Sequence, residues 1–285
     1  MKGRILCKVL DSEILKMIDV NTANSSGALR DLMNAFHESP EPTIKVNTYF
    51  PVYADLFKHL IGTNCTFIEV GVLSGGSLFM WRKWLGEKAR IIGIDLNPEA
   101  VKWRGHGFEI YIGDQADPNF WKNTFKDIGS FDVLLDDGGH QSFQQIITAV
   151  AAIQHAKSDC LVVVEDTCTS FMKEFEGHGN HSFLEYAKAA TDNLTAKDCN
   201  YFTNQFPDFQ NIEALKLFKD VYSIQFFSGL VSFNVRKSVL NTPSELIWNK
   251  EPATPSVDFR YEGKNQANIN WPDPKCSAII EIKSS

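Results

Sequence analysis

Between residues 65 and 164, short apolar segments alternate with amphipathic ones, and this alternation constrains the fold more than any other feature. Five segments have the length and composition of buried strands: 65–71, 90–95, 108–112, 131–135 and 160–164. Three segments between them repeat apolar residues at helical spacing: 77–85, 117–128 and 142–156. Strands that are apolar on both faces and separated by helices are typical of a parallel sheet covered on both sides. The sequence therefore predicts a doubly wound α/β fold.

Two later segments have a different pattern. VYSIQFF (221–227) and LVSFNVRK (230–237) alternate in polarity on either side of Ser228-Gly229. This pattern predicts an antiparallel hairpin with a tight turn. We expect it to extend the parallel strands to a mostly parallel, seven-stranded sheet with a C-terminal antiparallel hairpin. A helix over 49–61, with apolar residues at helical spacing, should lead into the first strand.

The two ends of the chain differ from this core in composition. Residues 1–44 combine a short apolar periodicity with a polar, proline-containing stretch, which predicts an N-terminal helical arm, acting as a lid or in oligomerisation. Residues 241–285 are polar with scattered aromatics, and they predict a surface tail that wraps this subunit or a neighbouring one. We therefore expect a main domain over 45–240 and allow for a homo-oligomer.

The composition of the chain argues against some classes of binding partner and bears on where the protein is located. A net charge of −7 and a pI near 5.5 argue against nucleic acid or an anionic membrane, since both usually bind a dense basic face. The N-terminus lacks the apolar core of a signal peptide, and no apolar run is long enough to cross a bilayer. Six cysteines form neither a CxxC pair nor a short disulfide framework. We expect a cytoplasmic protein.

The loop after the first strand, Glu69-Val-Gly-Val-Leu-Ser-Gly-Gly-Ser77, is placed where a doubly wound sheet binds a nucleoside-containing cofactor. Gly71 and Gly75 should let the backbone approach a ligand, and the helix that opens at Ser77 offers free N–H groups. The glycine spacing is not the GxGxxG of dinucleotide folds, and Glu69 would repel a pyrophosphate. A cationic ligand such as S-adenosylmethionine (SAM) is favoured instead.

Acidic residues also follow the next two strands. Asp95 ends the second strand and is suited to accept hydrogen bonds from ribose hydroxyls, and Asp114 after the third could border an adenine. Each could instead cap a helix or a turn. Together with Glu69 they form three acids at three successive strand ends, which favours a cofactor site.

A second group of polar residues follows the fourth and fifth strands. Asp136, Asp137 and His140 lie in the sequence FDVLLDDGGH, and Glu165-Asp166 follows the next apolar run. If the two strands are neighbours, their acids converge and need a shared cation, and oxygen ligands suit Mg²⁺, Mn²⁺ or Ca²⁺. A single histidine argues against zinc. The alternative is that His140 is a turn residue and Asp136 a backbone cap. Asp136 is the acid best suited to the turn itself or to its cofactor side.

Five motifs, FIEVGVLSGGSLFMW, IIGIDLNP, IGDQAD, FDVLLDDGGH and VVVEDTCTSF, together resemble the metal-dependent class I O-methyltransferases that act on sugars of macrolides and related natural products. The similarity runs from about Tyr49 to Phe171. It implies a Rossmann-like methyltransferase fold, with SAM held by the Glu69 turn, Asp95 and Asp114. It also implies that His140 is the general base. By the same resemblance the ligands of Mg²⁺ (or Mn²⁺) are Asp137, Glu165 and Asp166.

The sequence departs from the family pattern at two places. The turn reads Gly138-Gly139 where Gly-Ser is commoner, and the segment IKVNTYFPVY lacks the Asp-Lys and His that often appear there. These departures leave the acceptor undefined. The catalytic set is retained.

The resemblance implies methyl transfer from SAM to a hydroxyl of a sugar-like vicinal diol on a small molecule or a glycan. Two other readings stay open: a catechol-type metal-dependent O-methyltransferase, and a noncatalytic SAM-binding auxiliary subunit. An NAD-dependent dehydrogenase is disfavoured by Glu69 and by the glycine spacing.

Overall fold

A computed structural model describes residues 27–175, 182–196, 220–240, 267–269 and 282–284 of the 285-residue chain. Two compact units are distinguished, 1–243 and 244–285. The described helices of the first unit are α1 (Gly27–His37), α2 (Tyr49–Phe57), α3 (Gly76–Leu85), α4 (Pro118–Ile128), α5 (Ser142–His155), α6 (Phe183–Ala196) and α7 (Lys237–Leu240). Its described strands are β1 (Thr66–Val70), β2 (Arg90–Asp95), β3 (Glu109–Ile112), β4 (Val133–Asp136), β5 (Cys160–Val164), β6 (Val221–Phe227) and β7 (Leu230–Val235).

The seven strands form one sheet in the order β3-β2-β1-β4-β5-β7-β6. The first five are parallel, and β7 pairs antiparallel with both β5 and β6. The predicted doubly wound sheet with a closing hairpin is therefore confirmed. The strand order reverses between β1 and β4, the place where such sheets form a ligand crevice. Val70 pairs with Asp136, and Asp136 pairs with Val164, so β1, β4 and β5 end at the same level.

Alternate residues of the strands feed two apolar layers. In β1, Phe67 packs with α1, α2 and α3 on one face, while Ile68 and Val70 pack with α4, α5 and α6 on the other. Trp81 of α3 is fully buried, with its ring centroid 4.7 Å from that of Phe67. Both faces of the sheet are thus covered by amphipathic helices, which explains why the strands are apolar throughout.

Several boundaries differ from the sequence expectation. Asp136 is the last residue of β4 rather than the first residue after it. The helix predicted over 49–61 is α-helical only to Phe57 and continues as one 3₁₀ turn, Lys58–Leu60. A 3₁₀ helix, Pro98–His106, follows β2; its cap, Asn97, accepts a hydrogen bond from the backbone N–H of Glu99.

The predicted terminal arms lie partly outside the described residues. Within the first arm, α1 buries Leu32 and Ala35, and the Trp84 indole donates to the Ala28 carbonyl, so this part packs on the core. In the second unit, β8 (Ala267–Ile269) and β9 (Ile282–Ser284) pair antiparallel. The domain boundaries at 44 and 240 stay predictions. None of the described helices has the length and apolarity that a membrane crossing requires.

Candidate active site

A cavity of about 680 Å³ opens at the carboxyl ends of the parallel strands. Its wall is formed by the turns after β1 to β5 and by the segment 42–46 that precedes α2. Of the residues predicted to bind a cofactor, Gly71, Ser77, Asp95 and Asp114 line this cavity. The other three, Glu69, Gly75 and Asp136, are buried behind its wall.

The glycines of the β1 turn are required by the protein's own packing. Gly71 has φ +89°, and a Cβ there would lie 2.0 Å from the carbonyl oxygen of Asp137. Gly75 has φ +82°, and a Cβ there would lie 2.3 Å from the Trp103 ring. Both positions combine a left-handed backbone with a close approach, which only glycine tolerates. These contacts are with other parts of the chain, and ligand contact by Gly71 and Gly75 stays a prediction.

Asp95 ties the β1 turn to β2. Its carboxylate accepts hydrogen bonds from the backbone N–H groups of Val72 at 2.8 Å, Leu73 at 3.1 Å and Asn97 at 2.8 Å. Asp114 accepts one from Ala116 at 2.8 Å. Both acids therefore cap turns, the alternative that the sequence left open, while also lining the cavity. Hydrogen bonding to a ribose or an adenine stays a prediction.

Glu69 is fully buried and has three partners within the protein. Its carboxylate accepts hydrogen bonds from the Ser77 hydroxyl at 2.6 Å, the Trp81 indole at 3.1 Å and the Lys45 ammonium at 3.2 Å. Burial raises the pKa of Glu69, and the Lys45 charge opposes that rise. The cation that faces this acid in the structure is a lysine, and the predicted role of Glu69 toward a cationic cofactor stays untested.

Lys45 joins the ends of three strands. Its Nζ lies 2.5 Å from Asp137 Oδ2 and 3.2 Å from both Glu69 Oε1 and Glu165 Oε1, and its side chain is 1 % exposed. Burial alone would lower the pKa of Lys45, but the carboxylates of Asp137 and Glu165 more than reverse this and raise it well above its usual value. Lys45 therefore carries its positive charge at neutral pH.

Two tyrosines one turn apart on α2 bind the acids after β5. The Tyr53 hydroxyl donates to Glu165 Oε1 at 2.6 Å, and the Tyr49 hydroxyl donates to Asp166 Oδ1 at 2.7 Å. Positions i and i+4 of a helix lie on one face, so α2 presents both hydroxyls to the same edge of the sheet. Burial raises the pKa of Glu165, and Lys45 opposes the rise.

Asp137, His140 and Asp166 each offer one ligand atom, and these atoms lie within 4.8 Å of one another. His140 Nε2 is 3.9 Å from Asp137 Oδ1 and 3.6 Å from Asp166 Oδ2. Two carboxylates and an imidazole in this arrangement fit a divalent cation such as Mg²⁺ or Mn²⁺. Glu165, the other predicted ligand, has Oε1 bonded to Lys45 and Tyr53, and its ligand role stays a prediction.

The backbone around this group is strained. Among the described residues, three non-glycine residues have left-handed φ values: Leu73 at 47°, His140 at 59° and Asp166 at 52°. All three line the cavity. Such conformations cost about 1–3 kcal/mol each and cluster at functional sites, where the surrounding structure enforces them.

Asp136 and Gln115 shape the turn that carries His140. Gln115 Nε2 donates to both Asp136 carboxylate oxygens, at 3.1 and 3.3 Å, and its Oε1 accepts from the Gly139 N–H at 2.7 Å. A Cβ on Gly138 would lie 2.1 Å from Gln115 Oε1, so a larger residue there would displace the Gln115 side chain. Burial raises the pKa of Asp136 to about 6. Asp136 thus serves the turn, and its cofactor role stays a prediction.

Four residues of this site were not singled out from the sequence: Lys45, Tyr49, Tyr53 and Gln115. In the predicted helix over 49–61, Tyr49 is only the first residue and Tyr53 only one of the apolar positions, although buried tyrosine hydroxyls usually have hydrogen-bond partners. Their i, i+4 spacing was the available signal. Lys45 and Gln115 carry no comparable signal, because one lies in a connector and the other in a turn.

No family model matches the chain. In sequence it is 27% identical over 139 residues to the 8-demethyl-8-α-L-rhamnosyl tetracenomycin-C 2'-O-methyltransferase of Streptomyces olivaceus, covering 46% of this chain and 36% of that protein. It is 25% identical over 195 residues to the mycinamicin VI 2''-O-methyltransferase of Micromonospora griseorubida, covering 62% and 47%. The chain is thus similar in sequence to two O-methyltransferases.

The fold agrees with this relationship. The MycE methyltransferase of the mycinamycin biosynthetic pathway, solved in complex with Mg and SAH, superposes with a TM-score of 0.62 at 20% identity. The match covers 74% of this chain and 55% of that one. The predicted resemblance and the Rossmann-like methyltransferase fold are therefore confirmed. The chain spans about a third to a half of the length of these two relatives in sequence.

Proposed function

We propose that the chain is a SAM-dependent O-methyltransferase that transfers a methyl group to a hydroxyl of a sugar-like vicinal diol, assisted by a divalent cation. The observation that carries the proposal is the position of the Asp137, His140 and Asp166 group on the wall of the cavity at the strand ends. A cofactor bound along β1 to β3 would place its reactive end beside that group. The relatives support this reading, since MycE was solved with Mg and SAH, and both sequence relatives are O-methyltransferases.

The cofactor would occupy the part of the cavity bordered by Asp95 and Asp114. Both carboxylates are held in place by backbone N–H groups, so they need no rearrangement to accept hydrogen bonds from a nucleoside. The exposed side chains of Leu73 and Leu96 line the same part of the cavity and offer apolar surface to a purine ring. We therefore assign this part of the cavity to the adenosine of SAM.

The cation would be held by Asp137 and Asp166, with His140 and Glu165 beside them. A divalent cation bound there would lower the pKa of an acceptor hydroxyl, which is a poor nucleophile without such help. Tyr49 fixes one oxygen of Asp166 through its 2.7 Å hydrogen bond and leaves the other, Oδ2, facing His140. The protein thus orients its ligands before any cation binds.

His140 would take the acceptor's proton at Nε2. That atom faces the carboxylates of Asp137 and Asp166, which stabilise the imidazolium formed by the transfer. The Thr169 hydroxyl donates to the His140 carbonyl at 3.0 Å and helps to keep the left-handed turn in place. The remaining rate enhancement would come from alignment of the oxygen, the methyl carbon and the sulfur.

Replacement of His140 tests the base assignment. In His140→Ala we expect the affinity for SAH to stay within about twofold of wild type while methyl transfer falls by about 10²-fold or more. His59→Ala, an exposed histidine on the 3₁₀ turn after α2, is the matched control and should keep full activity. Unchanged turnover in His140→Ala would refute the assignment.

The acceptor and the cation are tested separately. A panel of glycosides with vicinal diols is assayed beside catechols, with product masses measured after incubation with SAM and Mg²⁺. Methylation of catechols alone would favour the catechol-type reading, and SAM that binds without being consumed by any acceptor would favour an auxiliary subunit. Turnover that persists after exhaustive EDTA dialysis would remove the cation from the proposal.

A further inference from the structure

Lys45 contributes a positive charge to a site for which the sequence predicts only carboxylates and a histidine. Three carboxylates that meet its ammonium come from three places in the sheet: Glu69 in β1, Asp137 after β4 and Glu165 after β5. The same lysine lines the cavity next to the candidate metal ligands. The positively charged ammonium group of Lys45 therefore already occupies one side of the acidic site.

We propose that Lys45 is a positioning residue that acts as a built-in cation, holding Glu69 and Glu165 in place and limiting the affinity of the Asp137–Asp166 site for a divalent cation. The effect on the affinity for a divalent cation rests on the metal site of the proposed function. Lys45 acts through the carboxylates that it contacts.

The two carboxylate oxygens of Asp137 face different groups. Its Oδ2 lies 2.5 Å from Lys45 Nζ, whereas its Oδ1 faces His140 Nε2 at 3.9 Å. A metal that bound Oδ1 would not have to displace the lysine from Oδ2. In Glu165, Oε1 binds both Lys45 and Tyr53. Lys45 thus withdraws one oxygen of each acid from a cation bound between them.

The lysine is fixed in this place. Its side chain is 1 % exposed, and its ammonium lies 6.0 Å from the centre of the Tyr53 ring. The connector that carries it is anchored nearby, because the Ser39 hydroxyl donates to the Gly76 carbonyl at 2.8 Å and a Cβ on Gly76 would lie 2.3 Å from the Glu41 carbonyl oxygen. Since the positive charge cannot move into water without breaking these contacts, a cation at Asp137 and Asp166 must bind against it.

Electrostatic repulsion determines whether the affinity for a divalent cation rises or falls when the charge of Lys45 is removed. A unit charge and a divalent ion roughly 5 Å apart in a partly buried site repel strongly enough to change affinity by about tenfold or more. Loss of a merely structural ion pair would loosen the ligands and weaken metal binding. Loss of a competing cation should strengthen it, so the two roles predict opposite directions.

The experiment is a titration of the apoprotein with Mn²⁺, in which free Mn²⁺ is measured by electron paramagnetic resonance without cofactor or acceptor. Lys45→Gln removes the charge and keeps a hydrogen-bond donor. Lys58→Gln makes the same change on an exposed lysine that pairs only with Asp55 among the described residues. The double variant Lys45→Gln with Glu69→Gln removes one charge of each sign, and circular dichroism checks that every variant is folded.

We expect Lys45→Gln to bind Mn²⁺ about tenfold more tightly than wild type, Lys58→Gln to match wild type, and the double variant to return toward wild type. A folded Lys45→Gln that binds Mn²⁺ equally or more weakly overturns the proposal. Should that variant fail to fold, the double variant is compared with Glu69→Gln alone, since these two differ only in the charge of Lys45, and we expect the double variant to bind Mn²⁺ several-fold more tightly. Equal or weaker binding in the double variant then overturns the proposal.

Failure of the proposed function has a different signature. The proposed function fails if wild type binds no Mn²⁺, or if Asp137→Asn binds Mn²⁺ as tightly as wild type does. In either case Lys45→Gln still decides the role of the lysine, since a gain of Mn²⁺ binding supports the built-in cation and no gain overturns it.

Discussion

Alanine at position 71 would force the turn after β1 against the turn that carries Asp137. Gly71 has φ +89°, and an added Cβ would lie 2.0 Å from the Asp137 carbonyl oxygen and 2.8 Å from its carbonyl carbon. A left-handed alanine costs about 1–2 kcal/mol, and overpacking typically adds about 1–3 kcal/mol. We expect Gly71→Ala to lower the free energy of unfolding by about 2–5 kcal/mol.

Gly62→Ala provides the matched control. Gly62 also has a left-handed backbone, at φ +76°, but nothing lies within 4 Å of the Cβ that alanine would add. Gly62→Ala should therefore lower the free energy of unfolding only by the backbone strain, about 1–2 kcal/mol. Both variants are compared with wild type by urea unfolding, followed by circular dichroism and analysed with a common m-value.

The collision also has a functional consequence. The two turns can separate only if the Asp137 backbone moves by about 1 Å or more, since non-bonded carbon and oxygen atoms approach no closer than roughly 3 Å. Gly71→Ala should therefore weaken Mn²⁺ binding, whereas Gly62→Ala should leave it unchanged. Equal losses of stability and unchanged Mn²⁺ affinity in both variants would refute the packing argument.

Three further outcomes are expected. Tyr53→Phe removes a buried donor from Glu165 and should destabilise the protein by about 1–3 kcal/mol in urea unfolding, while Tyr222→Phe, on an exposed residue of β6, should cost less than about 0.5 kcal/mol. Asp136 has its pKa raised from 3.8 to about 6, so the native state binds the proton more tightly and this group lowers stability as pH rises from about 4 to about 6. Asp136→Asn should abolish that loss, which amounts to at most about 3 kcal/mol, and identical pH profiles of unfolding would contradict the assignment. Brief iodoacetamide treatment at pH 7.5 with peptide mass mapping should label the exposed Cys168 and spare Cys65 and Cys160, because burial raises the pKa of both buried thiols; equal labelling of all three in the folded protein would be inconsistent with this burial.

The sheet could be predicted because its strands are buried on both faces. Phe67, Ile68 and Val70 of β1 are all apolar for this reason, and the same holds for Val162 to Val164 of β5. The hairpin could be predicted as well, because Ser228-Gly229 lies between two segments that alternate in polarity. The 3₁₀ helix Pro98–His106 was not predicted, since its stability depends on the packing of Trp103 against the Gly75 turn and Phe79 rather than on a local period.

Only those residues of the site that lie at or directly after the end of a strand could be predicted. Asp137, His140 and Asp166 follow two strands that are neighbours, so their convergence follows from the topology. The contacts of Glu69 could not be foreseen in the same way. They depend on Lys45, which reaches the strand ends from a connector, and nothing in the local sequence indicates that this lysine is 1 % exposed.

We propose above that the cavity at the strand ends binds the adenosyl cofactor of a methyl-transfer reaction. Isothermal titration of the folded protein with SAH tests this binding without requiring knowledge of the acceptor. We expect saturable binding of one SAH per chain, retained in His140→Ala and weakened by about tenfold or more in Asp95→Ala, and no binding of NAD. Absence of saturable SAH binding, or binding of NAD in its place, would contradict it.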